Sequence, residues 1–405
     1  MKILVFAHQL EIGGTQVNAI DLAASLRESH GHDVRIFASP GPLTTLVRER
    51  ALDYTPAPEP RVNPSPARIT ALRTLVRRER PDVIQAWDWP QALDAYYGVH
   101  LPWRVPLVVS DMCMSLTRVL PMSPVTTFGT PELVDEARAA GRRRVDLLLP
   151  PVDVHQNAPG AVDGGAFRRK LGIDDSEILL VTVSRFDKHL KSDSLLRTIE
   201  AVRRLGRDLP IRLALVGDGA LRPRLCELAQ WVNADFARPA VMLPGAMLDP
   251  RPAYAAADIL IGMGGSALRG LAFAKPVIVV GKGSFAEPLT PSTVDRFYYR
   301  GMYGVDESSS SCEPLVAAVR GLCGSAADRE QLGQFGRRFV VQHFALEVVS
   351  ARLAKLCRDA TEEVPAAMRS IADAARTAAV WLRERRFVPA DRAFVDHAPE
   401  RHPAG

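Results

Sequence analysis

Apolar positions along this chain follow two alternating rhythms. Lys2–Ala7 (KILVFA) is an almost unbroken apolar run, as in a strand buried on both faces. A loop with Gly13 and Gly14 follows. TQVNAIDLAASLRESHGH then places Val17, Ile20, Leu22, Ala23 and Leu26 at helical spacing, up to a stop at Gly31. DVRIFA (33–38) reads as the next strand, so the opening is a strand–loop–helix–strand unit that predicts a parallel sheet with helices on both faces. The alternation continues with a helix over 67–80, a strand PDVIQAW, a helix after Pro90, a strand VPLVVS and a strand near VDLLLP.

The stretch PPVDVHQNAPGAVDGG (150–165) interrupts the pattern and reads as a linker. A second alternation then begins. ILLVTVS, IRLALVG, AVMLPG, DILIGM and PVIVVG are strands, with DSLLRTIEAVRRLG and LRPRLCELAQWVN among the intervening helices. From about Ala326 the chain is mostly helical. The expected fold class is therefore α/β, with two Rossmann-like doubly wound domains facing across a cleft and C-terminal helices. Expected boundaries are 1–160, 161–345, helices over 346–387 that pack across both domains, and a loose tail over 388–405.

Composition narrows the class. Over 405 residues, 47% are hydrophobic and 24% charged, which is ordinary for folded domains and excludes a wholly disordered chain. A net charge of +5 is too mild to mark a nucleic-acid binder. Five scattered cysteines without a CxxC pair suggest neither a disulfide framework nor a zinc cluster. The apolar run before His8 is too short for a leader, and no stretch reaches the length of a membrane span. The expectation is a cytoplasmic protein.

Chemistry is expected at the carboxyl ends of parallel strands. IGGTQV lacks the GxGxxG spacing of a dinucleotide site. In the second domain Arg185 directly follows VTVS, and Lys191 stands six residues later, before a helix. That pair suits a diphosphate: a guanidinium holds two oxygens, and an ammonium acts as a point charge. DILIGM runs into Gly264-Gly265-Ser266 and then a helix, whose free N–H groups and positive dipole end make an anion pocket. The bland alternatives are solvated loop charges and an unliganded tight turn.

Together these residues resemble the GT-B glycosyltransferases of family four. The resemblance rests on MKILVFAHQLEIGGTQVNAIDLA, VSRFDKHLKSDSLLRTIEAV, LALVGDGALRPRLCELA, AYAAADILI, LAFAKPVIVV and REQLGQFGRRFVVQHFALE, in that order over residues 1–358. It implies a retaining transferase that takes a sugar from a UDP- or GDP-linked donor to an acceptor hydroxyl. The nucleotide sugar is then a substrate, with no cofactor and no metal, and the chain has no Asp-x-Asp pair. Carried over by position, Arg185 and Lys191 grip the donor diphosphate, and Gly13 and Gly14 form the loop that closes on it. Asp218 and Gly219 lie near the nucleotide, and Glu287 near the donor.

The departures are specific. Arg269 stands where the family has a glutamate that accepts from the ribose, and an arginine can only donate. It is therefore a candidate for a phosphate or an acidic sugar. The family's histidine after a first-domain strand is replaced by Asp111-Met112, which leaves Asp111 and His8 as catalytic candidates. These departures leave room for a catalytically silent nucleotide-sugar binder, and the same architecture also admits a nucleotide-sugar epimerase. The helix PARITALRTLVRRER, basic on one side and apolar at Ile69, Leu72, Leu75 and Val76, suits either an anionic membrane surface or a sheet-covering position. Arg142–Arg144 reads as a solvated run. Acceptor and oligomeric state are left open.

Overall fold

In the first sheet, β1 (Lys2–Phe6) is central, flanked on one side by β2 (Asp33–Ala38) and β3 (Asp53–Pro56). On the other side lie β4 (Val83–Trp87), β5 (Leu107–Asp111), β6 (Val125–Phe128) and β7 (Val145–Leu147). The computed structural model describes residues 1–188, 191–309, 311–362 and 367–384. Strand order is 3-2-1-4-5-6-7 with every pairing parallel. Order reverses between β1 and β4, so the helices after these strands leave on opposite faces and a crevice opens at their carboxyl ends.

The second sheet repeats the plan. β8 (Ile178–Val183) is followed outward by β9 (Ile211–Val216) and β10 (Val241–Gly245). Its other side carries β11 (Ile259–Gly262) and β12 (Val277–Val280). After the two-residue β13 (Lys282–Gly283), β14 (Ala286–Pro288) closes the edge antiparallel to β12. β15 (Val305–Asp306) pairs with β13. The reversal here falls between β8 and β11.

The chain divides into two compact units, Met1–Pro151 with Leu346–Gly405, and Val152–Ala345. The first unit thus ends at Pro151 rather than at residue 160. Backbone pairing is the reason: the Val152 amide donates to the Phe344 carbonyl at 2.7 Å, tying the expected linker to the second unit. The helices expected to pack across both domains fall in the first unit. Leu346–Glu362 lies on the helix Gly14–Glu28, where the Ser25 hydroxyl donates to that of Ser350 at 2.8 Å. On Ala367–Arg383, the Ser370 and Ala374 carbonyls accept from the Tyr96 and Tyr97 hydroxyls. The expected tail over 388–405 lies outside the described residues.

β3 and β6 are not evident as strands from the pattern alone. DYTP is short, and VTTF has two threonines, yet Thr126 and Thr127 are fully buried beside β5. Leu72, Leu75 and Val76 on the helix Pro66–Glu79 turn into the core, while Arg68 is buried against Asp94. That apolar face is used in folding. Arg142 is likewise buried, donating to the Leu120 and Pro121 carbonyls. No helix among the described residues is long and apolar enough to cross a membrane.

Candidate functional site

Each sheet gathers polar residues at its reversal point. In the first, His8 follows β1 and Asp88 follows β4, and His8 Nε2 lies 2.5 Å from Asp88 Oδ2. Asp88 has a positive φ of 55°, a conformation that aspartate tolerates better than most residues. Its other oxygen accepts from the Met112 amide at 2.9 Å, which ties the end of β4 to the segment leaving β5.

Asp111, the last residue of β5, is fully buried, and its Oδ1 accepts from the Cys113 amide at 3.2 Å. Burial, reinforced by the Asp88 charge, pushes the Asp111 carboxyl far above its ordinary range. The Cys113 thiol rises too, through burial and both carboxylates. The two catalytic candidates thus belong to one buried network, in which Asp88 and Cys113 take part as well. Sequence reasoning did not single those two out, although Asp88 follows a strand directly, the position that marked Arg185.

Gly13 is the extended residue before the helix Gly14–Glu28. Open space surrounds the place where a Cβ on Gly14 would stand. The helix has no side-chain cap, so its first amides remain available.

In the second unit, Arg185 is exposed just past β8, and Lys191 is the residue before the helix Ser192–Leu205. Burial and the neighbouring Arg185 lower the Lys191 ammonium to about 8, with Asp187 opposing them. Beside β8, β11 leads into Gly264, whose φ of 54° and ψ of −133° suit a residue without a side chain. The helix Gly265–Ala272 starts there without a side-chain cap. Ser266 Oγ lies 3.2 Å from the Tyr254 hydroxyl.

Arg269 folds back toward this helix start: its Nη1 is 3.5 Å from where a Cβ on Gly265 would stand. The strand ends at the reversal between β8 and β11 therefore carry Arg185, Lys191, uncapped amides and the Arg269 guanidinium. This is a set for binding anions.

Asp218 and Gly219 follow β9, one strand away; Asp218 is exposed and its Oδ1 accepts from the Gly219 amide at 2.7 Å. Glu287 stands apart on the edge strand β14, opposite Val279, and is ion-paired with Arg296.

Residues 12–111 match the family model described as Glycosyltransferase Family 4. No curated protein matches the chain in sequence. Solved structures match almost its whole length. A glycosyltransferase from Rickettsia africae ESF-5 superposes with a TM-score of 0.71 at 14% identity, covering 89% of this chain and 98% of that one. HepE of Anabaena, solved with UDP-glucose, gives 0.68 at 15% identity, covering 89% and 100%. MnaA of S. aureus, solved with UDP, gives 0.61 at 15% identity, covering 90% and 99%. The fold is that of the GT-B glycosyltransferases.

Proposed function

We propose that this GT-B chain transfers a sugar from a nucleoside diphosphate sugar to an acceptor hydroxyl, with retention at the sugar carbon. The observation that carries the reading is the convergence at the reversal between β8 and β11. There, two cations following β8 stand beside an uncapped helix start following β11. UDP or UDP-glucose in structures of the same fold supports a nucleotide-bearing donor.

In this reading the second unit holds the donor and the first the acceptor. The difficult step is departure of the diphosphate from an electron-poor sugar carbon. Arg185, Lys191 and the amides of Gly265 and Ser266 oppose the charge that develops on its oxygens, as fixed positive groups need no reorganisation. Protein cations take the part that a metal ion would play at the diphosphate. Arg269 adds a donor where a carboxylate would accept, directed to a phosphate or an acidic sugar. Asp218 and Gly219 border the nucleotide, while Glu287 meets the donor only by exchanging its Arg296 partner. Gly13 and Gly14 are diphosphate-binding candidates as well, their helix start being uncapped. His8 and Asp111 organise the acceptor end.

The test is calorimetric titration of the wild type and Arg185→Ala with UDP, GDP and their sugar conjugates. Binding to the wild type that weakens by on the order of tenfold or more in the variant supports the assignment, because charge-assisted hydrogen bonds contribute about 1.5–3 kcal/mol. A folded wild type that binds none of them overturns it.

A further inference from the structure

We propose that Asp88, Asp111 and Cys113 form a binding site for a divalent transition-metal ion of the zinc class. The inference departs from the metal independence implied by the sequence resemblance. It does not rest on the transferase reading, because it concerns the first sheet alone.

Three features carry it. One carboxylate oxygen from each aspartate and the Cys113 sulfur all lie within 4.8 Å of one another. Ligand atoms bound tetrahedrally at about 2.0–2.3 Å stand roughly 3.3–3.8 Å apart, so a modest contraction closes the site. In addition, Asp111 Oδ2 is fully buried and has no hydrogen-bond partner. The Cys113 thiol and Thr117 hydroxyl approach Asp111, but neither makes a hydrogen bond of normal geometry to that oxygen. A buried polar atom left this way is costly unless a ligand completes it.

The third feature is how firmly the donors are held. Asp88 is fixed through both oxygens by His8 and the Met112 amide, and each oxygen keeps a further lone pair for a metal. Ligating carboxylates are themselves commonly hydrogen-bonded, which holds their orientation. Arg142, the nearby cation, is already occupied by the Leu120 and Pro121 carbonyls.

The donor set selects the ion. A thiolate beside two carboxylate oxygens is borderline-soft, which suits Zn²⁺ or Co²⁺ rather than Mg²⁺ or Ca²⁺, whose ligands are oxygens. Cys113 is partly buried as a residue, although its thiol is buried. Binding converts the thiol to thiolate and displaces any carboxyl proton, so it releases protons to solvent.

The experiment uses the untagged full-length protein after chelator treatment, titrated with Co²⁺ and followed by absorption and calorimetry. One Co²⁺ per chain is expected, with a thiolate-to-cobalt charge-transfer band that Zn²⁺ abolishes by displacement. Cys113→Ser should lose the band and Asp111→Asn should bind at least about tenfold more weakly, with circular dichroism confirming the fold of each. A folded wild type without the band overturns the proposal, as does a band unchanged in Cys113→Ser or an affinity unchanged in folded Asp111→Asn. If Asp111→Asn does not fold, the near-isosteric Cys113→Ser decides alone.

Discussion

A Cβ atom on Gly217 would stand 1.8 Å from the Ser184 carbonyl oxygen. Gly217 directly follows β9 with a φ of 153°, and Ser184 is the residue before Arg185. The turn after β9 is therefore seated against the backbone that aims Arg185. Gly217→Ala should push the two strand ends apart, at a strain cost of about 1–3 kcal/mol. Thermal unfolding should show the loss. Calorimetry on the still-folded variant should show nucleotide binding weakened by on the order of tenfold, which corresponds to about 1.4 kcal/mol.

If the proposed donor site holds, Lys191 should set the pH limit of donor binding. Its ammonium is charged below about 8 and neutral above, because burial and Arg185 disfavour the charge. Affinity for a nucleotide sugar, whose diphosphate does not titrate in this range, should be level below pH 8. It should then fall by about tenfold per pH unit above it. Arg185→Ala removes one cause of the depression and should move the break upward. An affinity constant from pH 7 to 9.5 would exclude Lys191 from the site.

The Arg68–Asp94 pair is a liability if halved. The two lie 2.7 Å apart, Asp94 fully buried and Arg68 nearly so, and Asp94 Oδ1 also accepts from the Ser65 amide. Asp94→Ala leaves a buried guanidinium uncompensated and should cost about 3–5 kcal/mol in denaturant unfolding. Asp94→Asn keeps an acceptor for Ser65 and should cost less.

Asp373 staples the C-terminal helix to the segment after β5, accepting from the Met122 and Ser123 amides and the Tyr96 hydroxyl. Burial works against its charge, but the two amides, Ser123 and Arg376 outweigh it and hold the carboxyl below the ordinary range. The stabilisation is full above the unfolded carboxylate value of about 3.9 and is lost as pH falls through the lower folded value. Asp373→Ala should cost about 1.5–3 kcal/mol, the range for hydrogen bonds to a charged group. It should also accelerate hydrogen exchange at the Met122 and Ser123 amides. Unchanged exchange there would contradict the clamp.

Much of the fold and part of the candidate site were legible in the sequence because local chemistry carries them. KILVF, ILLVTV and VIVV are unbroken apolar runs that only a doubly covered strand accommodates, and Gly13-Gly14 and Gly264-Gly265 mark where chain turns into helix. Arg185, Lys191 and Gly264–Ser266 could be placed at strand ends for the same reason. Strand order decided the rest. Only the jump from β1 to β4 brings His8 against Asp88, 80 residues away, and only β5 beside β4 sets Asp111 in the same buried network. Likewise the apolar face of Pro66–Glu79 reads as core-facing or, less readily, as membrane-facing, until Leu72, Leu75 and Val76 are seen buried and Arg68 is seen against Asp94. Hydrophobic period specifies which residues must leave water. Which polar groups then meet depends on long-range pairing, and a one-dimensional pattern carries no record of it.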